Sequence, residues 1–220
     1  VTFDDAIDVI QEEAEEDFSK MAGMTPADKP YLKTSAFQLW KMRIPWLLVL
    51  MISATLTGII ISSFETALSK IVALTAFIPM IMGTGGNSGS QASVAVIRGI
   101  SLGEIEFKDI FKVIWKECRV SVLCGVSLGI AGFGKVMLVD YLIMHTVGTS
   151  VTSALWIALV VGITLAFTVI CAKFIGCTLP MLAGKIGLDP AVMASPLITT
   201  VMDSVSLLIY FASAAIILHL

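Results

Sequence analysis

The chain has 220 residues, of which 57% are hydrophobic and 14% charged, with a mean hydropathy of +0.94. Soluble domains run at roughly 45–50% apolar and about 25% charged, so an ordinary soluble domain is excluded and a second large domain is not expected. The net charge of −3 hides an asymmetry: residues 1–28 carry nine acids against the single Lys20, whereas the remainder carries 13 Lys/Arg against eight acids.

Residues 1–22, VTFDDAIDVIQEEAEEDFSKMA, repeat Ile7, Ile10, Ala14 and Phe18 at spacings of three and four among acids, which predicts an amphipathic helix. Pro26 and Pro30 end it. Val1 follows no signal-peptide pattern, and we expect a piece of a longer protein.

A span needs about 20 apolar residues. Residues 44–64 carry no charge and predict the first, with Pro45 near its start. Residues 71–97 are also uncharged, but their middle reads GTGGNSGSQ (83–91), too polar and glycine-rich for an ordinary lipid-facing helix. The third span is expected at 119–139, with Lys135 snorkelling. The fourth lies around 152–172, with a continuation toward Pro180, and the fifth at 191–218, with Asp203 inside it. The expected fold is all-α and integral to the membrane: an acidic cytoplasmic helix over 1–30, then a five-helix domain over 31–220.

Basic residues set the orientation. Lys20, Lys29, Lys33, Lys41 and Arg43 precede the first span, and Arg98, Lys108, Lys112, Lys116 and Arg119 lie between the second and third. Lys173 and Lys185 join them, leaving Lys70 and Lys135 on the other side. The expectation is a multi-pass protein of the inner (plasma) membrane with its N-terminus in the cytoplasm and its C-terminus outside.

Cys118, Cys124, Cys171 and Cys177 stand in or beside apolar runs without C-x-x-C spacing and read as small hydrophobes. With only His145 and His219 besides, no cluster for soft or borderline metals is present in the sequence. Asp203 is the most informative residue. A carboxylate within a span costs about 2.5–3.5 kcal/mol on insertion scales, so it faces a cavity, an ion or a partner. A cation or proton site is one reading; a salt bridge to Lys173 or Lys135 is the other.

GTGGNSGSQ has two readings as well. Non-helical backbone at membrane depth survives where it is buried or lines an aqueous cavity, and Asn87, Ser88, Ser90 and Gln91 would add oxygen atoms there. The alternative is a surface for close helix packing. Pro196 is expected to leave a carbonyl without its helical donor, and Gly125-x-x-x-Gly129 reads as packing. Glu65, directly after the first span, either collects cations at the outer mouth or is simply solvated. Hard oxygen donors with few charges suit Mg²⁺, which dehydrates reluctantly and binds through one or two carboxylates while keeping several waters.

Pro79 followed by GTGGNSGSQAS (83–93), Leu188-Asp189-Pro190-Ala191 and SPLITTVMDSVSLLIYF (195–211) resemble the membrane portion of the MgtE family of magnesium channels and transporters. The opening VTFDDAIDVIQEEAEEDFSKMAG is similar to the family's end of a CBS domain and its connecting helix. The resemblance covers essentially the whole chain. It implies a homodimer in the lipid bilayer, a pore at the subunit interface lined by spans two and five, and an upstream cytoplasmic CBS module that senses Mg²⁺. By position, Asp203 would hold the hydrated ion, helped by the main chain of Thr199 and by Gly83 and Asn87. Ser195 stands where many members have Asn, and its hydroxyl can still accept from a bound water. Asp5, Asp8, Glu13, Glu16 and Asp17 match acids that help bind regulatory Mg²⁺.

The expected function is therefore a channel passing hydrated Mg²⁺, both transported and regulatory, down its gradient; a proton-coupled divalent-cation transporter using Asp203 as relay is the alternative. An enzyme is not expected. Gly86-Asn87-Ser88-Gly89 fits the G-x-S-G of intramembrane serine proteases, but such a serine needs a base within reach, and neither histidine sits at that depth. No nucleic-acid partner is expected.

Overall fold

The computed structural model describes residues 2–26, 30–148 and 150–219. Asp28 and Lys29, counted above, lie outside the described residues together with the end of the 1–30 segment at 27–29. Helix α1 (Phe3–Met21) opens on a capping box. The Asp5 N–H donates to Thr2 Oγ1 at 3.3 Å and the Thr2 N–H to the Asp5 carboxylate at 2.6 Å, which satisfies two donors that a helix start leaves free. The helix stops where Gly23 takes a φ of +67°, a value that suits a residue without Cβ.

Helix α2 (Ala36–Ser63) starts eight residues before the expected position. A Ser35–Gln38 capping box sets its first turn, with 3.3 Å bonds in both directions. Apolar runs mark only the part of a helix inside lipid, and this one extends through an interfacial segment containing Trp40, Lys41 and Arg43. Pro45 consequently lies inside the helix and not near its start.

After α3 (Glu65–Lys70) and a 3₁₀ segment (Val72–Phe77) come α4 (Ile78–Ser101) and α5 (Ile110–Lys135), which runs into a π-helical turn (Val136–Tyr141). Helix α6 (Val151–Lys185) takes Pro180 within it, and a 3₁₀ turn (Pro190–Met193) leads to α7 (Ser195–Leu218). No strand occurs among the described residues.

Among the described residues, four stretches are long and apolar enough to cross a membrane: Ala36–Ser63, Phe107–Tyr141, Val151–Lys185 and Pro190–Leu218. They coincide with expected spans one, three, four and five. Helix α4, at 24 residues, has the length, about 36 Å. It lacks the apolarity, because residues 83–91 are all glycine or polar. Most of the apolar stretch of α6 is buried, whereas that of α2 is almost wholly exposed; α6 is the post against which α4, α5 and α7 pack.

Lipid removes the hydrophobic contrast between helices, so small residues that let backbones approach decide the packing. A Cβ at Gly125 would stand 2.8 Å from the Ala166 carbonyl oxygen, and one at Gly129 2.8 Å from that of Gly162. The Gly125/Gly129 motif thus seats α5 on α6. Helix α2 joins through a buried Thr57–Ser204 hydroxyl pair at 3.4 Å and through Phe64, stacked on Phe211 with centroids 4.5 Å apart. Tyr210 donates to the Leu74 carbonyl at 2.8 Å, tying α7 to the segment before α4.

Candidate cation pathway

The GTGGNSGSQ segment stays helical throughout α4, which overturns the expectation of non-helical backbone there. Its glycines make room for neighbours. A Cβ at Gly85 would collide with Ser206 Oγ, one at Gly86 would stand 2.9 Å from Thr199 Cγ2, and one at Gly89 2.6 Å from Ile198 Cγ2. Gly176 of α6 in turn lies against the Gly89 carbonyl. One face of α4 is therefore pressed onto α6 and α7, with Ser88, Ala92 and Ser93 buried in the same contact.

The other face is open. Gly83, Asn87 and Gln91 recur every four residues and are exposed, and nothing lies within 4 Å of a Cβ placed on Gly83. On α7, Ser195, Thr199 and Asp203 also recur every four residues, each partly exposed. The Gly86–Thr199 contact lies between Gly83 and Asn87 in α4 and four residues before Asp203 in α7. The two polar stripes therefore flank one helix–helix seam.

Asp203 has no hydrogen-bond or ion-pair partner among the described residues. Lys135 is engaged with Asp140 and Lys173 forms no ion pair among the described residues, so neither lysine supplies the salt bridge to Asp203. The Thr199 hydroxyl donates to the Ser195 carbonyl at 2.7 Å, and that of Thr200 to the Pro196 carbonyl at 3.0 Å. With its hydroxyl so used, Thr199 has its carbonyl as an available acceptor, since a carbonyl keeps a second lone pair after its helical bond. Pro196 lies at the start of α7, where its missing N–H would have no helical acceptor anyway. The expected orphan carbonyl does not arise.

Other expected residues scatter. Glu65 is exposed and opens α3, with no ion-pair partner among the described residues. Asp5 is used in its own cap, and the Thr2 bonds hold its carboxyl below the usual range. Asp8 and Glu13 are exposed, Glu16 pairs with Lys20, and Asp17 accepts from Ser101 Oγ at 3.1 Å. Among the described residues no group of three or more His, Cys, Asp or Glu side chains converges as a metal site. Ser88 is buried and has no hydrogen bond to a histidine, so the protease dyad is not formed.

Sequence reasoning missed Asp140. It is 5% exposed and binds Lys135 Nζ at 2.8 Å, while that ammonium also sits 5.2 Å from the centre of the Phe77 ring. Positions five apart do not face each other in an α-helix; the π turn aligns them. Lys135 is thus paired rather than snorkelling. A charge five residues after Lys135 at the end of an apolar run was the available signal.

These features define an all-helical, multi-pass membrane protein with an unpaired carboxylate and polar helix stripes at a seam between two helices. The model of the MgtE family, described as a divalent cation transporter, matches residues 78–213, the part that contains both stripes. The magnesium transporter MgtE of Thermus thermophilus is 34% identical over 219 residues, and that of Bacillus subtilis 38% identical over 226. Each alignment covers 100% of this chain and 46% of the relative. The chain belongs to the MgtE family, and it spans about half the length of the curated relatives it matches.

Proposed function

We propose that this chain forms the membrane part of a magnesium channel, passing hydrated Mg²⁺ down its electrochemical gradient through a pore at the interface of a homodimer. The observation that carries the reading is Asp203: a carboxylate midway along a membrane-crossing helix, partly exposed, with no partner among the described residues. A two-fold axis beside the α4–α7 seam would bring two such carboxylates together. Their repulsion is relieved by a divalent ion between them. Mg²⁺ keeps its waters, so Asn87, Ser195 and the carbonyls at Gly83 and Thr199 serve as acceptors for a hydrated ion rather than as a dehydrating cage.

In this reading α4 is the fifth crossing helix. Its polar stripe lines water in the dimer, which offsets its low apolarity. Five crossings put the two termini on opposite sides, and the basic residues assign the N-terminus to the cytoplasm of a plasma-membrane protein. The contact of α1 with the α6–α7 turn supports this, since it places α1 at the end of the bundle that carries Lys185.

Regulation is assigned to α1. Asp5, Asp8, Glu13, Glu16 and Asp17 repel one another until Mg²⁺ neutralises them, which lets the acidic helices of a dimer approach and close the pore, together with the CBS module of the whole protein. Reconstituted full-length protein tests the transport reading. Mg²⁺ influx into liposomes should follow the Mg²⁺ gradient and voltage, and should fall sharply in Asp203→Ala. Influx that requires a pH gradient would replace the channel with proton coupling, and unchanged influx in Asp203→Ala would remove Asp203 from the pathway.

A further inference from the structure

Helix α4 begins without a side-chain cap. Its N-cap residue is Phe77, whose ring offers no oxygen to the free N–H groups of the first turn. The helix is also weak by composition. Gly83, Gly85, Gly86 and Gly89 fall within one short stretch, and glycine is a poorer helix former than any residue except proline. The polar stripe of α4 therefore keeps its place only if the start of the helix is held from outside.

Two contacts hold it. Tyr210 of α7, two turns beyond Asp203, donates to the Leu74 carbonyl at 2.8 Å. Lys135, at the end of α5, places its Nζ 5.2 Å from the centre of the Phe77 ring. Leu74 and Phe77 are both buried, so the segment before α4 is gripped inside the protein from α7 and from α5.

Asp140 aims the lysine. Lys135 Nζ lies 2.9 Å from Asp140 Oδ1 and 2.8 Å from Oδ2. The lysine side chain is 43% exposed, whereas Asp140 is buried. Left alone, an ammonium at that position extends to water; the carboxylate turns it back over the ring. The carboxylate is fixed in turn. The Thr146 N–H and hydroxyl both donate to the Asp140 carbonyl, at 2.9 and 3.3 Å. Val136 and Val147 belong to the same core cluster as Leu74, Phe77 and Ile81. The π turn that brings the two charges together is of a kind that recurs at functional sites.

We propose that Lys135 and Asp140 are positioning residues for the cation pathway. The pair holds the Phe77 ring, which fixes the start of α4 and so the placement of Gly83 and Asn87 beside Thr199 and Asp203. Gly83 stands six residues, about 9 Å, from Phe77, so a shift of the first turn reaches it. Two apolar residues would fill the same space as the ion pair, but only a cation is drawn to the face of the ring. The consequence for transport rests on the reading proposed above; the clamp itself does not.

Hydrogen exchange over residues 72–82 and Mg²⁺ flux in liposomes, both on the full-length protein, test it. Removing one partner alone strands a charge, so the informative variant is the double replacement Lys135→Leu with Asp140→Val. Exchange over 72–82 should quicken about tenfold, as expected for the loss of one cation–π contact. The Mg²⁺ concentration for half-maximal flux should rise about threefold, as for one acceptor moved out of reach of the hydrated ion. A pair that only stabilised the fold would lower the melting temperature or the maximal flux and leave half-saturation where it was. Phe77→Leu, which leaves the ion pair intact, should reproduce both changes. Lys135→Arg keeps the ion pair and the cation on the ring, and should rescue both. Wild-type exchange over 72–82 in the double variant and in Phe77→Leu would overturn the clamp. Faster exchange with unchanged half-saturation would overturn the positioning role. Absence of Mg²⁺ flux in wild type would remove the transport reading and the positioning role with it, while exchange would still decide the clamp.

Discussion

Lys20 Nζ lies 2.5 Å from Asp189 Oδ2 and also pairs with Glu16, so the last turn of the acidic helix is pinned to the residue that opens the turn into α7. Asp189 also accepts from the Ala191 N–H at 2.8 Å, and Met21 packs with Ile97, Ala191 and Ala194. A movement of α1 thereby reaches the first turn of the helix that carries Asp203.

That contact predicts a particular pH response. Partial burial works against the Asp189 carboxylate, but the bonds from Lys20 and Ala191 prevail and hold it below its usual range, while the same pair raises Lys20. A lowered acid contributes stability above its unfolded value, near 3.9, and loses it as pH falls through the lower folded value. A raised lysine contributes below about 10.4 and loses it as pH rises through the higher folded value. Docking of α1 should therefore be flat from about pH 5 to 9. Hydrogen exchange of residues 3–21 reads it, and Asp189→Asn should speed exchange throughout that range; a transition near pH 6–7 would contradict the assignment.

Asp203→Ala should lower Mg²⁺ flux by about tenfold or more, equivalent to at least roughly 1.4 kcal/mol of lost ion stabilisation, with the oligomer unchanged on size exclusion. Asn87→Ala should pass more Ca²⁺ relative to Mg²⁺, measured by competing divalent ions in the same liposomes. Unaltered selectivity in that variant would take Asn87 out of the pathway.

The glycines of α4 and α6 should separate by the neighbours they meet. Gly176→Ala forces a Cβ onto the Gly89 backbone carbonyl, which cannot rotate away, and should cost about 1–3 kcal/mol, seen as a lower melting temperature. Gly83→Ala meets nothing and should melt no lower than wild type, because alanine is the better helix former. Equal melting of the two variants would contradict the packing described.

Neutralising Asp5, Asp8, Glu13, Glu16 and Asp17 together in the full-length protein should leave the channel open at high internal Mg²⁺. Patch recordings decide this: inhibition identical to wild type would remove α1 from the sensing mechanism.

A reporter fused after Leu220 should be active only outside the cytoplasm. Cytoplasmic activity would mean that α4 does not cross.

The membrane class, four crossing helices and the exceptional status of Asp203 were all legible along the chain. An uncharged run of about 20 residues and a lone carboxylate inside one are one-dimensional signals, requiring no knowledge of what lies alongside. Other features depend on neighbours. Gly83 and Gly85 are two residues apart in one motif, yet one faces open space and the other Ser206, because helical phase against α7 separates them. Pro196 is harmless because α7 begins beside it, and Lys135 meets Asp140 because a π turn shifts the register by one residue. Composition and spacing selected lipid as the surroundings; which polar groups remain unpaired was decided by tertiary packing, since a buried group is satisfied only by what the adjacent helix presents.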